Sequence, residues 1–286
     1  MSRNDKRRVS NAPPKAAAPP KAAQPPPVAS VLDFVSPTEF VDLPSQGRFY
    51  PEDHPLHGQD TVEIRFMTAK DEDILTSQTL LRKGMALEKF LQNVIVDKRV
   101  RTADLLSGDR TAIFVAARCT GYGEEYKTEV RCPSCNTKDD FTFNLKGCRF
   151  YHGDDWDDME ITETAQNTFL VPLPITKVIA EIKLLTGADE TSISTAIKKN
   201  KKRSMLENSL TAQVTKFIVS LNGDEDRDTI FKFVEMMPAY DSFHLRRAYR
   251  AVNPTLDLSQ TYECSTCGEA QEMEVPMTAA FFWPGR

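Results

Sequence analysis

Residues 125–145 read EYKTEVRCPSCNTKDDFTFNL, and residues 259–275 read SQTYECSTCGEAQEMEV. In both stretches apolar and polar residues alternate on either side of a CxxC pair, and this alternation is typical of β-strands. Each pair therefore joins two strands at the turn of a hairpin. A CxxC turn directs both of its thiolates to one point, so each hairpin supplies half of a tetrahedral metal site.

The two pairs together match the ligand set of a structural zinc ion. The cysteines that form them are Cys132, Cys135, Cys264 and Cys267. Zinc prefers four soft ligands in tetrahedral geometry, with sulfur at about 2.3 Å, and four cysteines leave no open position for catalysis. The residue after each pair is Asn136 or Gly268, and these residue types best tolerate the positive φ of such a turn. We predict a structural zinc site with these four cysteines as ligands.

The separation between the pairs predicts a large insertion. Residues 136–263 comprise 128 residues, whereas the pairs of a compact zinc ribbon are about 15–20 residues apart. The fold class that we predict is α+β, with split zinc-ribbon-like β hairpins, a large helical insertion and an N-terminal α/β segment. The predicted regions are an N-terminal arm 1–30, an N-terminal segment 31–120, split hairpins 121–150 and 254–286, and a helical insertion 151–253.

Periodicity and capping residues predict the elements on either side of the first hairpin. In the N-terminal segment we expect a tight turn at Gln46-Gly47, a strand Thr61–Met67, a Thr68 cap with Asp71 or Glu72, and helices over 71–84, Ala86–Ile95 and Arg110–Arg118. In the insertion we expect helices Thr176–Thr186, Thr191–Ala196, Met205–Leu221, Asp228–Met236 and Ser242–Ala251.

Two other interpretations of the CxxC pairs stay open at this point. Disulfides require an oxidising compartment, and the charged N-terminus lacks the apolar segment of a secretory signal. A thioredoxin-type redox pair requires a βαβ context, whereas each pair here lies in a hairpin. Of the remaining cysteines, Cys119 ends an apolar helix and is expected in the core, while Cys148 follows the first hairpin and could replace a ligand.

Charge is unevenly distributed along the 286 residues, whose formal net charge is −5. Residues 1–30 are rich in Pro and Ala and carry six Lys/Arg and one Asp, hence +5, so the rest of the chain carries −10. We expect this arm to be a disordered tether, because it has little apolar surface to bury. The acidic body argues against nucleic acid as a partner. The arm and the run KKNKKR at 198–203 nevertheless leave a zinc-ribbon nucleic-acid-binding regulatory protein as the alternative.

Catalytic motifs for phosphate cradling, nucleophile elbows and zinc proteases are absent from the sequence. The acidic stretch HGDDWDDME, with His152 and Asp155, leaves a metal-dependent hydrolase open, although its spacing does not fit a calcium loop. His54 and His57 lie in a proline-rich loop without an evident third ligand. No apolar run reaches the roughly 18 residues of a membrane helix. We therefore expect a non-enzymatic protein of the cytoplasm.

The stretch VPMTAAFFWP, residues 275–284, is strongly apolar. Burying each of its bulky side chains contributes about 1.5–3 kcal/mol, so they are not expected to stay in water. They either close the protein's own core or form a docking surface for another chain. The residues concerned are Val275, Met277, Phe281, Phe282 and Trp283.

Several separated stretches carry a further signal: VDLPSQGRFYPEDHPLHG, EIRFMTAKDEDILTS, CPSC, CSTCG and VPMTAAFFWP. Over residues 31–286 the chain resembles, in these stretches, the baseplate hub and hub assembly proteins of T4-like contractile-tailed bacteriophages. The resemblance implies a non-enzymatic structural or assembly component that binds other phage tail and baseplate proteins. It also implies assembly in the host cytoplasm, and it leaves open whether the protein stays in the virion tail baseplate or acts only during assembly. Copy number and oligomeric state stay open.

Overall fold

The computed structural model describes residues 36–202, 209–277 and 279–282, which form helices and small antiparallel sheets. The α+β class predicted from the sequence is confirmed. The arm 1–30 and Trp283 lie outside the described residues, and of the basic run 198–203 only Lys198 has a described side chain. Within the described part of the chain, no helix combines the length and the apolar character needed to cross a membrane.

The N-terminal segment contains an antiparallel strand pair followed by helices. Its elements are β1 (Thr38–Asp42), β2 (Thr61–Arg65), α1 (Ala69–Thr76), α2 (Gln78–Lys83), α3 (Ala86–Val94) and α4 (Ser107–Tyr122). The carboxylate of Asp71 accepts a hydrogen bond of 2.9 Å from the Thr68 N–H, as predicted for the cap of α1. The predicted single helix over 71–84 is divided, because Ser77 is extended and ends α1.

A buried hydrogen-bond network, which we call the Asp109 network, joins the loop between β1 and β2 to the first turn of α4. Asp109 is fully buried and accepts hydrogen bonds from the Ser45 N–H (3.0 Å), the Ser45 hydroxyl (2.6 Å) and the Tyr50 hydroxyl (2.7 Å). Burial raises the pKa of Asp109, although these hydrogen bonds oppose the shift. The tight turn predicted at Gln46-Gly47 is confirmed, with positive φ at both residues.

The middle of the chain alternates between strands and helices. Its elements are β3 (Glu125–Arg131), β4 (Lys138–Asn144), β5 (Arg149–Tyr151), β6 (Thr162–Glu163), β7 (Thr168–Pro172), β8 (Ile179–Lys183), α5 (Gly187–Lys202), α6 (Ser209–Phe217) and β9 (Ile218–Leu221). Strands β3 and β4 form the first hairpin, as predicted. Strands β6 to β9 form a four-stranded antiparallel sheet in that order. The insertion predicted to be helical therefore contains a sheet as well as helices.

The prediction of a helix over Thr176–Thr186 is wrong, because this segment forms the turn before β8 and β8 itself. Its core residues alternate along the chain: Ala180 and Ile182 are fully buried, and Leu184 is nearly so. This period of two belongs to a strand with one face on the core. Pairing with β7 and β9 on either side therefore decides the structure.

The last part of the chain returns to the first hairpin. Its elements are α7 (Arg227–Met236), α8 (Ala239–Val252), β10 (Thr255–Asp257), β11 (Ser259–Glu263), β12 (Ala270–Glu274) and α9 (Ala279–Phe282). Strand β10 pairs with β5, and β11 with β12 forms the second predicted hairpin. Helices α7 and α8 occupy the positions expected for Asp228–Met236 and Ser242–Ala251. Of the segment Met205–Leu221, predicted to be helical, the last four residues form β9 instead.

Candidate metal centre

The two CxxC turns meet in space although 128 residues separate them in the sequence. All four Sγ atoms lie within 4.8 Å of one another. The Sγ atoms of Cys132 and Cys267 are 3.8 Å apart, and those of Cys135 and Cys264 are 3.7 Å apart. Tetrahedral bonds of about 2.3 Å to zinc place neighbouring sulfurs about 3.8 Å apart. The predicted convergence is confirmed and its spacing fits zinc, while metal binding itself stays a prediction.

The backbone of each turn has the geometry expected from the sequence. Asn136 has a φ of 61° and Gly268 a φ of 69°. The Asn136 N–H donates to the Cys132 carbonyl at 2.8 Å, and the Gly268 N–H donates to the Cys264 carbonyl at 2.9 Å. The two turns are therefore built alike, and each holds its pair of sulfurs in a fixed orientation.

Solvent exposure divides the four cysteines into two kinds. Cys132 and Cys264, the first cysteine of each turn, are 0% and 2% exposed. Cys135 and Cys267, the second cysteine of each turn, are exposed. The four-cysteine cluster thus lies at the protein surface with one side open to solvent.

Contacts beyond the sulfurs hold the two hairpins against each other. The rings of Phe141 on β4 and Tyr262 on β11 pack edge to face, with centroids 5.3 Å apart. The carboxylate of Asp139 accepts hydrogen bonds from the Tyr262 hydroxyl (3.2 Å) and from the Ser265 N–H (3.0 Å). Asp139 therefore connects the first hairpin to the backbone of the second CxxC turn.

The other two cysteines lie outside the cluster. In the part of the chain that the structure describes, the group of side chains able to hold a metal comprises only the four cysteines of the turns. Cys148 instead accepts a weak hydrogen bond from Gln260 at 3.8 Å, and burial raises its pKa. Burial also raises the pKa of Cys119, to about 11. The expected core position of Cys119 agrees with its packing against the hydrophobic core.

The two thiols of the second CxxC turn, those of Cys264 and Cys267, do not ionise independently. A hydrogen bond from the Cys267 backbone is the main cause that lowers the pKa of Cys264 to about 6. The Glu269 backbone lowers the pKa of Cys267, but desolvation and the neighbouring thiols raise it to a net value of about 12. Four thiolates this close repel one another unless a cation lies among them. The donor set and its electrostatics therefore fit a divalent soft-metal ion.

A family model described as T4 bacteriophage base plate protein matches residues 37–283. The chain belongs to this family. Membership supports a structural component of the phage tail baseplate, with other phage tail proteins as its partners, and it confirms the resemblance at the level of the baseplate family. No curated protein and no solved structure shows significant similarity to the chain.

The second hairpin of this baseplate family member is acidic. Residues 251–285 contain no Lys or Arg. Their carboxylates belong to Asp257, Glu263, Glu269, Glu272 and Glu274. Nucleic-acid affinity comes mainly from Lys and Arg contacts to phosphate. The second hairpin therefore gives no support to the nucleic-acid-binding alternative.

The histidines considered as metal ligands bond to backbone atoms instead. Nδ1 of His152 lies 2.8 Å from the Pro44 carbonyl oxygen. The Nδ1 atoms of His54 and His57 also lie within hydrogen-bond distance of backbone groups in their own loop. Among the described residues none of these histidines belongs to a metal-capable group. A metal-dependent hydrolase at the acidic stretch receives no support.

Two phenylalanines of the apolar stretch 275–284, Phe281 and Phe282, pack in the protein's own core. Phe281 is fully buried and Phe282 is 6% exposed, with the Phe282 ring 5.7 Å from that of Phe90. The Arg118 guanidinium donates to the Phe281 carbonyl at 2.6 Å. Met277, by contrast, is 43% exposed. Of the two interpretations left open by the sequence, the first therefore holds for both phenylalanines.

Two residues that organise this region, Arg118 and Asp139, were not identified from the sequence. The Arg118 side chain is buried and also donates to the carbonyls of Gly123 and Glu125. Arg118 could have been recognised from the sequence, because it is a charged residue at the end of the helix predicted over Arg110–Arg118, which has an apolar face. Asp139 had no such signal, because its partners lie more than 120 residues away and have common residue types.

Proposed function

We propose that the chain is a structural or assembly component of the hub region of a bacteriophage tail baseplate. In this role it acts by docking to other tail proteins and has no enzymatic activity. It is assembled in the host cytoplasm and functions in the tail baseplate. The observation that carries the proposal is the convergence of the four sulfurs in a chain that belongs to the base plate family.

The proposal includes a structural zinc ion. Its ligands are Cys132, Cys135, Cys264 and Cys267. Bound zinc supplies a rigid tetrahedral junction without an open coordination position. The buried Cys132 and Cys264 anchor this junction in the two hairpins, and the exposed cysteines complete it from the solvent side. Such a closed site fits a scaffold better than a catalyst.

The junction also explains the proposed arrangement of regions. The hairpin regions 121–150 and 254–286 form one split zinc ribbon, and region 151–253 is inserted between its halves. Because the ribbon joins the two ends of the insertion, zinc fixes the ends of the segment that carries β6 to β9 and α5 to α8. The chain thereby presents defined surfaces to neighbouring tail proteins.

Elemental analysis of the purified full-length chain tests the zinc site. We expect one zinc per chain in the wild type and almost none in Cys264→Ser, because three cysteines no longer complete the tetrahedron. Cys148→Ser is the matched control, since this cysteine follows the first hairpin but lies outside the cluster. A wild type without zinc, or Cys264→Ser with a full zinc complement, contradicts this part of the proposal.

A complementation assay tests the baseplate role separately. A phage lacking the gene is supplied with the wild type, Cys148→Ser or Cys264→Ser from a plasmid. We expect complete baseplates and infectious particles with the first two and defective tails with the third. Normal baseplates in the absence of the protein would refute the role, and electron microscopy of the tails locates the defect.

A further inference from the structure

The cluster pairs each exposed cysteine with a buried one across the two hairpins. Exposed Cys267 lies 3.8 Å from buried Cys132, and exposed Cys135 lies 3.7 Å from buried Cys264, measured between Sγ atoms. A disulfide has an S–S bond of about 2.05 Å, so each pair needs to close by about 1.7 Å. A solute therefore has access to one cysteine of each pair, while the other cysteine is buried and its sulfur lies less than 4 Å away.

We propose that the cluster is a site of covalent modification by hydroperoxides. Oxidation joins the two hairpins through two disulfides, Cys132–Cys267 and Cys135–Cys264, in place of the metal. The inference builds on the proposed function, because it concerns the same four sulfurs, and the cross-hairpin pairing rests on the Sγ–Sγ contacts of 3.8 Å and 3.7 Å.

The internal hydrogen bonds of the turns favour pairing between hairpins over pairing within a turn. The Cys132 N–H donates to Thr137 O at 2.9 Å, and the Cys264 N–H donates to Glu269 O at 3.0 Å, which closes each turn upon itself. A disulfide within a turn would join residues three apart and would leave the two hairpins without a covalent link. A disulfide between hairpins needs only a small approach of two intact units.

The chemistry of each pair balances with one peroxide molecule. The exposed thiolate attacks one peroxide oxygen, the O–O bond breaks, and the products are a sulfenic acid and hydroxide, which takes up a proton to form water. The buried partner thiolate then attacks the sulfenic sulfur, the S–S bond forms, and the S–O bond breaks to release a second water after protonation. Two thiolates are thus oxidised to one disulfide while the peroxide is reduced. Consumption of all four thiolates leaves no ligand for a metal ion.

This modification suits a protein that leaves a reducing cell within a virion. Thiols persist in the cytosol, whereas disulfides persist outside it. After oxidation the same two hairpins stay joined at the same four residues, so the docking surfaces keep their placement. The metal serves during assembly, and the disulfides take over once reductant is lost.

Peptide mapping of the oxidised wild-type chain is the test. The zinc-loaded protein is treated with hydrogen peroxide without reductant, and metal release is followed with a chromogenic chelator. Trypsin cuts after Arg131, Lys138 and Arg250, so both cysteines of each turn stay in one peptide. We expect a covalently linked pair of peptides, 132–138 with 251–286, whose mass is about 4 Da below the sum of the reduced peptides. Fragmentation should assign the linkages Cys132–Cys267 and Cys135–Cys264.

Two double variants with equal numbers of cysteines sharpen the test. Cys132→Ser/Cys267→Ser retains one cross-hairpin pair and should form one disulfide between the two peptides. Cys132→Ser/Cys135→Ser retains only the second turn and should form no link between the two peptides, with its exposed Cys267 recovered as a sulfenic or higher oxidised acid. Both variants lack a complete metal site. A difference in disulfide formation between them is therefore due to the cross-hairpin cysteine pair.

Separate tryptic peptides with internal disulfides, or sulfinic and sulfonic acids without linkage, would overturn the inference. The same mapping is run on the reduced, metal-free chain. Linked peptides from a wild type that binds no zinc would uphold this inference and remove zinc from the proposed function. Unlinked peptides from a wild type that binds zinc would refute this inference and leave zinc in the proposed function.

Discussion

The four-cysteine cluster and the Asp109 network both join segments that are far apart in the sequence, but their chemistry is opposite. In the Asp109 network one carboxylate accepts hydrogen bonds from Ser45 and Tyr50, so protein atoms alone complete it. In the cluster four identical sulfurs face one another, and ionised sulfurs repel. A link between complementary groups is stable by itself, whereas a link between identical groups depends on a ligand.

Metal removal should produce the largest difference in stability between the four-cysteine cluster and the Asp109 network. Structural zinc sites contribute an apparent free energy on the order of 10 kcal/mol at neutral pH. We therefore expect a strong chelator to lower the melting temperature sharply and to abolish hydrogen-exchange protection in β3, β4, β11 and β12. The backbone amides of Ser45 and Leu106, which bond to Asp109 and to the Tyr50 hydroxyl, should stay protected.

Zinc added back in equimolar amount should restore the protection of the hairpins. Equal loss of protection at Ser45 and in the hairpins would mean that the chain unfolds as one unit, and the distinction between the two regions would fail.

Loss of the Asp109 carboxylate should have the next largest effect. Asp109→Ala leaves the Ser45 N–H, the Ser45 hydroxyl and the Tyr50 hydroxyl without their acceptor, and each buried unsatisfied group costs about 1–3 kcal/mol. We expect the free energy of unfolding to fall by about 3–5 kcal/mol. Chemical denaturation measures this change, and elemental analysis should find the zinc content unaltered.

Asp109→Asn is the control, because it retains one acceptor oxygen and nearly the same volume. Its destabilisation should be smaller than that of Asp109→Ala. Loss of zinc in Asp109→Ala at a temperature where the variant is folded would show that the two regions are coupled.

Lowering the pH should reveal a smaller contribution to the free energy of unfolding from a second buried carboxylate, that of Asp71. Burial alone would raise the pKa of Asp71, but hydrogen bonds from Arg65, Thr68 and Asn93 lower it to about 2. Because this folded-state pKa is depressed, the ionised carboxylate stabilises the fold above the unfolded-state pKa of about 3.9, by about 2 kcal/mol. This contribution is lost as the pH falls from about 4 to about 2.

The difference in unfolding free energy between the wild type and Asp71→Asn measures the effect. It should be constant from pH 7 to about 5 and should shrink by about 2 kcal/mol at pH 2. Protonation of the cluster thiols affects both proteins equally and cancels in the difference. A difference that does not vary with pH would remove the assigned role of the Asp71 carboxylate.

The cluster could be predicted from the sequence because its groups are identical and regularly spaced. Two CxxC pairs followed by Asn136 and Gly268 specify both the turn and the ligand type. The site could therefore be predicted even though 128 residues separate the two pairs. The Asp109 network could not be predicted in this way. Its serine, tyrosine and aspartate are common residue types at no fixed spacing, and only the folded chain selects these partners.

Strand β8 shows a different limit of sequence analysis. The apolar residues of Thr176–Thr186 fit a helical face as well as a strand, since Ile179 and Leu185 fill positions between the alternating core residues. In the structure Ile179 is 46% exposed, so its apolar character misled the helix prediction. The neighbouring strands decide the outcome, and tertiary pairing of this kind overrides local propensity.

The likeness of the two CxxC turns has a consequence for newly made copies of the chain. Each hairpin forms from local contacts, but bringing both together closes a long loop, at an entropic cost that grows with its length. A CxxC turn of a second copy offers the same two sulfurs. How often it meets a hairpin of the first copy depends only on the concentration of the chain. Crowded synthesis therefore favours dimers that exchange hairpins, whereas dilute synthesis favours closure within one chain.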